Sequence, residues 1–173
     1  MAKKKAAAKT ARTRPVARPA AAPARPLFTI GYEQALPAAV LGELKRTRVD
    51  ILIDARAVAA SRRPGFSKRA LAAGLDEIGI AYIHLQKLGT PSEGRTAARA
   101  GDYATLWRIY DKHIQTPEAQ AALDELVALV KSGKRIALLC FERNPEECHR
   151  SRVADIVKKR TRVRVEDLIP PLF

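Results

Sequence analysis

RIALLCFERNPEECHRSRVADI, residues 135–156, changes its hydrophobic pattern halfway along. Arg135 to Phe141 is a short, nearly unbroken apolar run, the mark of a strand covered on both faces. Asn144, Pro145 and Glu147 then stand as a helix cap, a first-turn proline and a capping-box acid, so a helix is expected to open there. Cys148, His149 and Arg150 fall in its first two turns. Strand, short loop and helix in this order belong to an α/β fold, and the rest of the chain can be tested for the same alternation.

It shows it. Leu27 to Ile30 is an apolar run ending at Gly31, followed by a helical period over about 35–46. Val49 to Asp54 reads as a buried strand with one acid at its carboxyl end. Ser67 caps a helix that stops at Gly79, and Ile80 to Leu85 supplies a third strand. Gln86 to Asp102, with three glycines and a proline, is expected to be a loop. A helix over Tyr103 to Ile114 follows, with Trp107 and Tyr110 read as core. Another opens with Thr116 as cap and Pro117 at its first position and ends near Gly133. Val163 to Val165 is expected to add a last strand. The predicted fold is α/β: a mostly parallel sheet of about five strands flanked by helices, a Rossmann-like three-layer sandwich forming one domain over 27–173.

At 173 residues and 47% hydrophobic, the chain suits one core. It has no apolar run long enough for a membrane span, and MAKKKAAAKT lacks the apolar region of a signal peptide, so a cytoplasmic protein without a membrane partner is expected. Two cysteines are too few for a disulfide scaffold and are expected as thiols. The net charge of +14 is uneven: Lys3, Lys4, Lys5, Lys9, Arg12, Arg14, Arg18 and Arg25 give residues 1–26 a charge of +8 with no acid among them. That Ala/Pro-rich segment cannot bury enough apolar area to offset the entropy of ordering, so it is expected to be a disordered arm. Such an arm either holds DNA or RNA through counterion release or is a solvated leader; its prolines oppose an amphipathic presequence.

Ligands of parallel sheets bind beyond the carboxyl ends of the strands. The groups expected there are Tyr32 after the first strand, Asp54 and Arg56 after the second with the basic loop carrying Arg62 and Arg63, His84 on the third, and Cys140 and Glu142 on the fourth. Cys148, His149 and Arg150 follow on the helix, where the positive end of the dipole favours thiolates and anions. Four readings fit. A zinc site would use Cys140, one of Cys148 and His149, and His84 or Asp54, because neighbours on a helix point about 100° apart. Thiol catalysis would use Cys140 or Cys148 as nucleophile, with His84 or His149 carrying the proton and Asp54 in support. An anion pocket would use Arg56, Arg62, Arg63 and Arg150, with Asp54 and Glu142 orienting them. The last reading is structural packing alone. A cysteine-phosphatase loop is excluded, since the sixth residue after Cys140 is Glu146 and after Cys148 is Ala154, and no C-x-x-C pair is present.

TIGYE (29–33), IDAR (53–56), SRRPGFSKRAL (61–71), AYIHLQKLGTP (81–91) and LLCFERNPEECHRSRVA (138–154) together resemble the family known as domain of unknown function 488. The resemblance covers nearly everything after Pro26. It implies a cytoplasmic bacterial or archaeal α/β domain, and no particular reaction or cofactor. Carried across motif by motif, it implies a site at Asp54, Arg56, His84, Cys140, Glu142, Cys148, His149 and Arg150. The chain departs from the family pattern at Gln34, where a glycine is expected, and at Glu166 and Asp167, where a histidine is expected. Two functions are therefore carried forward: an enzyme acting on a nucleotide or nucleic acid, and a non-catalytic module that holds an anionic ligand and is tethered by its arm.

Overall fold

The computed structural model describes residues 25–172. The basic arm expected over 1–26 thus falls, apart from Arg25 and Pro26, outside the described residues. One parallel sheet is built from β1 (Leu27–Gly31), β2 (Ile51–Asp54), β3 (Ala81–His84), β4 (Ile136–Cys140) and β5 (Val165–Leu168), in the order β3-β2-β4-β1-β5. The helices among the described residues are α1 (Pro37–Arg46), α2 (Lys68–Asp76), α3 (Ser92–Arg99), α4 (Tyr103–His113), α5 (Pro117–Lys131) and α6 (His149–Thr161). This is the expected α/β sandwich. None of these helices is long and apolar enough to cross a membrane.

Alternation along the strands sends side chains into two cores. Ile51, Ile53, Ile136 and Leu138 pack with Leu123, Leu126, Val153 and Val157 of α5 and α6. Leu52, Ala137 and Leu139 pack on the other face with Val40, Leu44, Leu71 and Leu75 of α1 and α2. Cover on both faces is why β4 reads as a continuous apolar run. Tyr110 is fully buried in the first core, with the half-buried Trp107 packed against it.

The sheet order also places the site. β4 and β1 are neighbours, yet the chain leaves β1 through α1 toward β2 and leaves β4 through α6 toward β5. Those connections depart over opposite faces, so a crevice opens beyond the carboxyl ends of β1 and β4, where such sheets take ligands.

Three local expectations need correction. The segment expected as a loop over Gln86 to Asp102 carries a 3-10 turn at Gln86–Leu88 and then α3. Gly94 lies inside α3 as a packing contact, since a Cβ there would stand 2.7 Å from Thr90 Cγ2 and 3.4 Å from Leu106 Cδ1. The last strand runs over Val165–Leu168, not 163–165; as an edge strand beside β1 it tolerates Glu166 and Asp167. Finally, the cap and proline at Asn144 and Pro145 start only a 3-10 turn, Pro145–Glu147, with Asn144 Oδ1 accepting the Glu146 amide at 3.1 Å. Cys148 is extended, at φ −122 and ψ 137, and is itself the cap of α6.

Candidate functional site

Because Cys140 ends β4 and Cys148 caps α6, the intervening turn folds both sulfurs onto one point. Cys140 Sγ donates to Glu142 Oε2 at 3.0 Å. His149 Nε2 lies 2.9 Å from the Ala55 carbonyl oxygen. A carbonyl only accepts, so Nε2 carries the proton and Nδ1 is left facing the sulfurs, 3.6 Å from Cys140 and 4.0 Å from Cys148. The Arg150 amide donates to Cys148 Sγ at 3.5 Å. One ligand atom from each of Cys140, Glu142, Cys148 and His149 can be chosen such that all lie within 4.8 Å of one another. The expected 100° divergence of Cys148 and His149 assumed both were helical; the extended Cys148 backbone removes it. His84 and Asp54, the outside ligands considered from sequence, are not in this group.

Arg150 has no solvent exposure and serves the turn rather than a ligand. Its Nη1 donates to the Glu142 carbonyl, its Nη2 to the Arg143 carbonyl at 2.9 Å, and its Nε to Thr29 Oγ1 at 3.2 Å. The Thr29 hydroxyl donates in turn to Asp167 Oδ1 at 2.5 Å, so one acid that departs from the family pattern balances the buried cation through a hydroxyl. The same turn is pressed against β1: a Cβ on Gly31 would sit 1.9 Å from the Glu142 oxygen. Gln34, the other departure, has φ 58, the left-handed region that glycine enters without strain.

Burial pushes the Cys140 thiol well up, and the neighbouring Cys148 and Glu142 add to it. Burial would raise Cys148 too, but the Cys140 thiol beside it and the charges of His149 and Arg150 outweigh it and hold Cys148 well below the ordinary thiol range. The helix start it caps favours the same direction. Burial likewise opposes charge on His149, yet the Cys148 sulfur beside it raises the imidazole. Glu142 is pushed up to about 7 by burial, with Cys148 contributing.

The cluster opens into a cleft of about 600 Å³. Cys140, Glu142 and His149 form its floor, and Arg62, Arg63, Arg95 and Arg99 line it from the loop after β2 and from α3. Arg63 Nη2 donates to the Ala35 carbonyl at 2.8 Å and Arg95 Nη1 to the Thr90 carbonyl at 2.7 Å. Glu33 lines it just beyond β1 and Glu147 from the 3-10 turn before α6, with Tyr103 and Phe141 exposed by 37% and 40%.

The remaining expected residues divide by strand alternation. Asp54 pairs with Leu139 in register, so it faces the α1/α2 side, opposite to Cys140. It is completely buried, holding Arg56 by two bonds of 2.8 Å and 2.6 Å and accepting from Tyr82 at 2.6 Å. Burial alone would lower the Arg56 guanidinium, but the Asp54 carboxylate raises it above its ordinary value. Arg56 also donates to Tyr32 Oη and the Phe66 carbonyl, and both Arg56 and Tyr32 reach the cleft lining. His84, in register with Asp54, contacts the Arg56 carbonyl at 2.8 Å and lines a separate shallow hollow. Cys148 lies behind the floor with 1% exposure. Arg95, Arg99, Tyr103 and Glu147 were not anticipated. Their signal was present in Arg95 and Arg99, four apart and so on one helix face, once α3 is seen as a helix.

A search of the curated proteins and of the solved structures finds no match to the chain. Residues 37–157, which run from α1 through most of α6 and contain the whole Cys140–His149 cluster, match the profile of the domain of unknown function DUF488, and the chain belongs to that family.

Proposed function

We propose that this domain recognises a phosphorylated ligand of nucleotide size, free or at a nucleic-acid end, and presents its phosphate to the thiol, imidazole and carboxyl groups of the cleft floor. The observation that carries the reading is the division of one cleft: a wall of Arg62, Arg63, Arg95 and Arg99 faces a floor of Cys140, Glu142 and His149. Guanidinium forks match phosphate oxygens in geometry and charge. The Ala35 and Thr90 carbonyls pre-order two of those forks, which lowers the entropy lost on binding. Exposed Tyr103 and Phe141 offer ring faces for a base, and a volume of about 600 Å³ suits a ligand of this size. Any reaction on the ligand falls to the floor groups, in a reducing cytoplasm. The same reading gives the +8 segment over 1–26 the task of attaching the domain to DNA or RNA.

Calorimetric titration of the full chain with a nucleoside monophosphate and with the parent nucleoside tests the proposal. The monophosphate is expected to bind more tightly, with an affinity that falls as salt rises. Replacing Arg95 and Arg99 together by Ala should weaken it about ten-fold or more, as for lost hydrogen bonds to charge. Equal binding of nucleoside and monophosphate would overturn it.

A further inference from the structure

We infer that Cys140, Cys148, His149 and Glu142 form a tetrahedral site for a divalent transition-metal ion of the zinc type, set in the floor of the cleft. The inference rests on the donor geometry and stands whether or not the cleft binds a nucleotide.

Two sulfurs and an imidazole are a donor set that selects borderline-soft ions over magnesium or calcium. Zinc bonds of about 2.3 Å to sulfur and about 2.0 Å to nitrogen or oxygen place the donors of a tetrahedron roughly 3.3–3.8 Å apart. The observed separations are already close: 3.0 Å from Cys140 Sγ to Glu142 Oε2, 3.6 Å from Cys140 Sγ to His149 Nδ1, and 4.0 Å from Cys148 Sγ to His149 Nδ1. Shifts of about an ångström close them on one ion.

The surroundings suit coordination as well. His149 Nε2–H donates to the Ala55 carbonyl, which fixes the tautomer with Nδ1 available and matches the outer hydrogen bond that metal-bound imidazoles make. The Arg150 amide aimed at Cys148 Sγ supplies a donor to a coordinated thiolate. A carboxyl, an imidazole and two sulfurs are buried in mutual contact; an ion would replace those contacts with bonds to the deprotonated ligands, and the Cys140 proton would leave to solvent.

The four ligands are not equivalent. Cys148 lies behind the floor, whereas Glu142 lines the cleft and is only partly buried. Glu142 is therefore the ligand that can yield its position to water or to an incoming oxygen atom. With Glu142 bound the site is closed and structural; with Glu142 displaced it has the open position of a catalytic site.

Full-length protein, reduced, stripped with chelator and confirmed folded by circular dichroism, is titrated with Co2+ alone. The expected result is saturation at one ion per chain, a sulfur-to-cobalt charge-transfer band in the near ultraviolet and strong visible bands of tetrahedral cobalt, all bleached by one equivalent of Zn2+. Cys140→Ser and Cys148→Ser should each lose at least half of the charge-transfer intensity. Because both cysteines are buried and their loss can unfold the turn, Glu142→Gln is the second variant: it should keep the charge-transfer band and shift the visible bands. His84→Ala should leave the spectrum unchanged. The weak spectrum of aqueous Co2+, in wild-type protein whose two thiols both titrate as reduced, would overturn the inference, as would a spectrum lost in His84→Ala.

Discussion

Arg150 donates to the Glu142 carbonyl from a position without solvent exposure, and so ties the first turn of α6 to the loop leaving β4. Thr29 and the Arg143 carbonyl take its other bonds. Arg150→Ala would take the donor away from the Glu142 and Arg143 carbonyls and from Thr29 Oγ1, which would keep only its own bond to Asp167, and would open a cavity. The expected loss is about 3–5 kcal/mol, read as a lower midpoint in chemical denaturation. Arg150→Lys should recover only part of it, because an ammonium cannot reproduce the three-way fork. Equal midpoints for wild type and Arg150→Ala would show that the clamp is dispensable.

The positions of β1, β2 and β4, and therefore the rim on which the site lies, were legible because strands covered on both faces leave unbroken apolar runs, whereas the edge strand β5, with Glu166 and Asp167, has no such run and starts two residues later than expected. What the runs do not reveal is which face a given side chain takes once strands are paired. Asp54 and Cys140 end adjacent strands, but Asp54 sits opposite Leu139 in register, so the two groups point to opposite sides. His84 follows Asp54 away from the sulfurs for the same reason. The cluster itself was hidden by one backbone angle: the cap and proline at 144–145 signal a helix start, and only the extended conformation of Cys148 moves that start to His149 and lets neighbouring residues converge.

Gly94 illustrates the opposite error, since a glycine that reads as a break is a point of contact. A Cβ there would meet Thr90 Cγ2 at 2.7 Å, within the α3 and α4 pair that carries Arg95, Arg99 and Tyr103 to the cleft. Gly94→Val is expected to push α3 outward and destabilise the domain by about 1–3 kcal/mol, as overpacking does. It should also weaken nucleoside monophosphate binding relative to Gly94→Ala, whose smaller side chain forces less movement. A Gly94→Val protein with wild-type stability and affinity would mean that α3 is free to shift without consequence.

The two thiols are expected to be slow toward alkylating agents although Cys148 is held low. Cys140 shows only 3% of its surface, at the cleft floor, and Cys148, 1% exposed and absent from the cleft lining, is reached only when the turn opens. In metal-stripped protein at neutral pH, iodoacetamide should modify both more slowly than it modifies a small free thiol, and denaturant should remove the protection. Mass spectrometry of the intact chain against time measures this. Fast modification of either cysteine in the folded protein would restore the sulfur-nucleophile reading from the sequence.

The basic segment makes a prediction that separates it from the cleft. Each cation that displaces counterions from duplex DNA adds about 0.9 to the slope of log affinity against log salt. Residues 1–26 hold eight such cations and no acid. DNA binding by the full chain should therefore show a distinctly steeper salt dependence than binding by the chain beginning at Leu27, while nucleoside monophosphate affinity stays the same for both. A common slope would assign DNA contact to the folded domain. A monophosphate affinity that falls on removing 1–26 would mean that the segment reaches into the cleft, where its charge would add to that of Arg62 and Arg99.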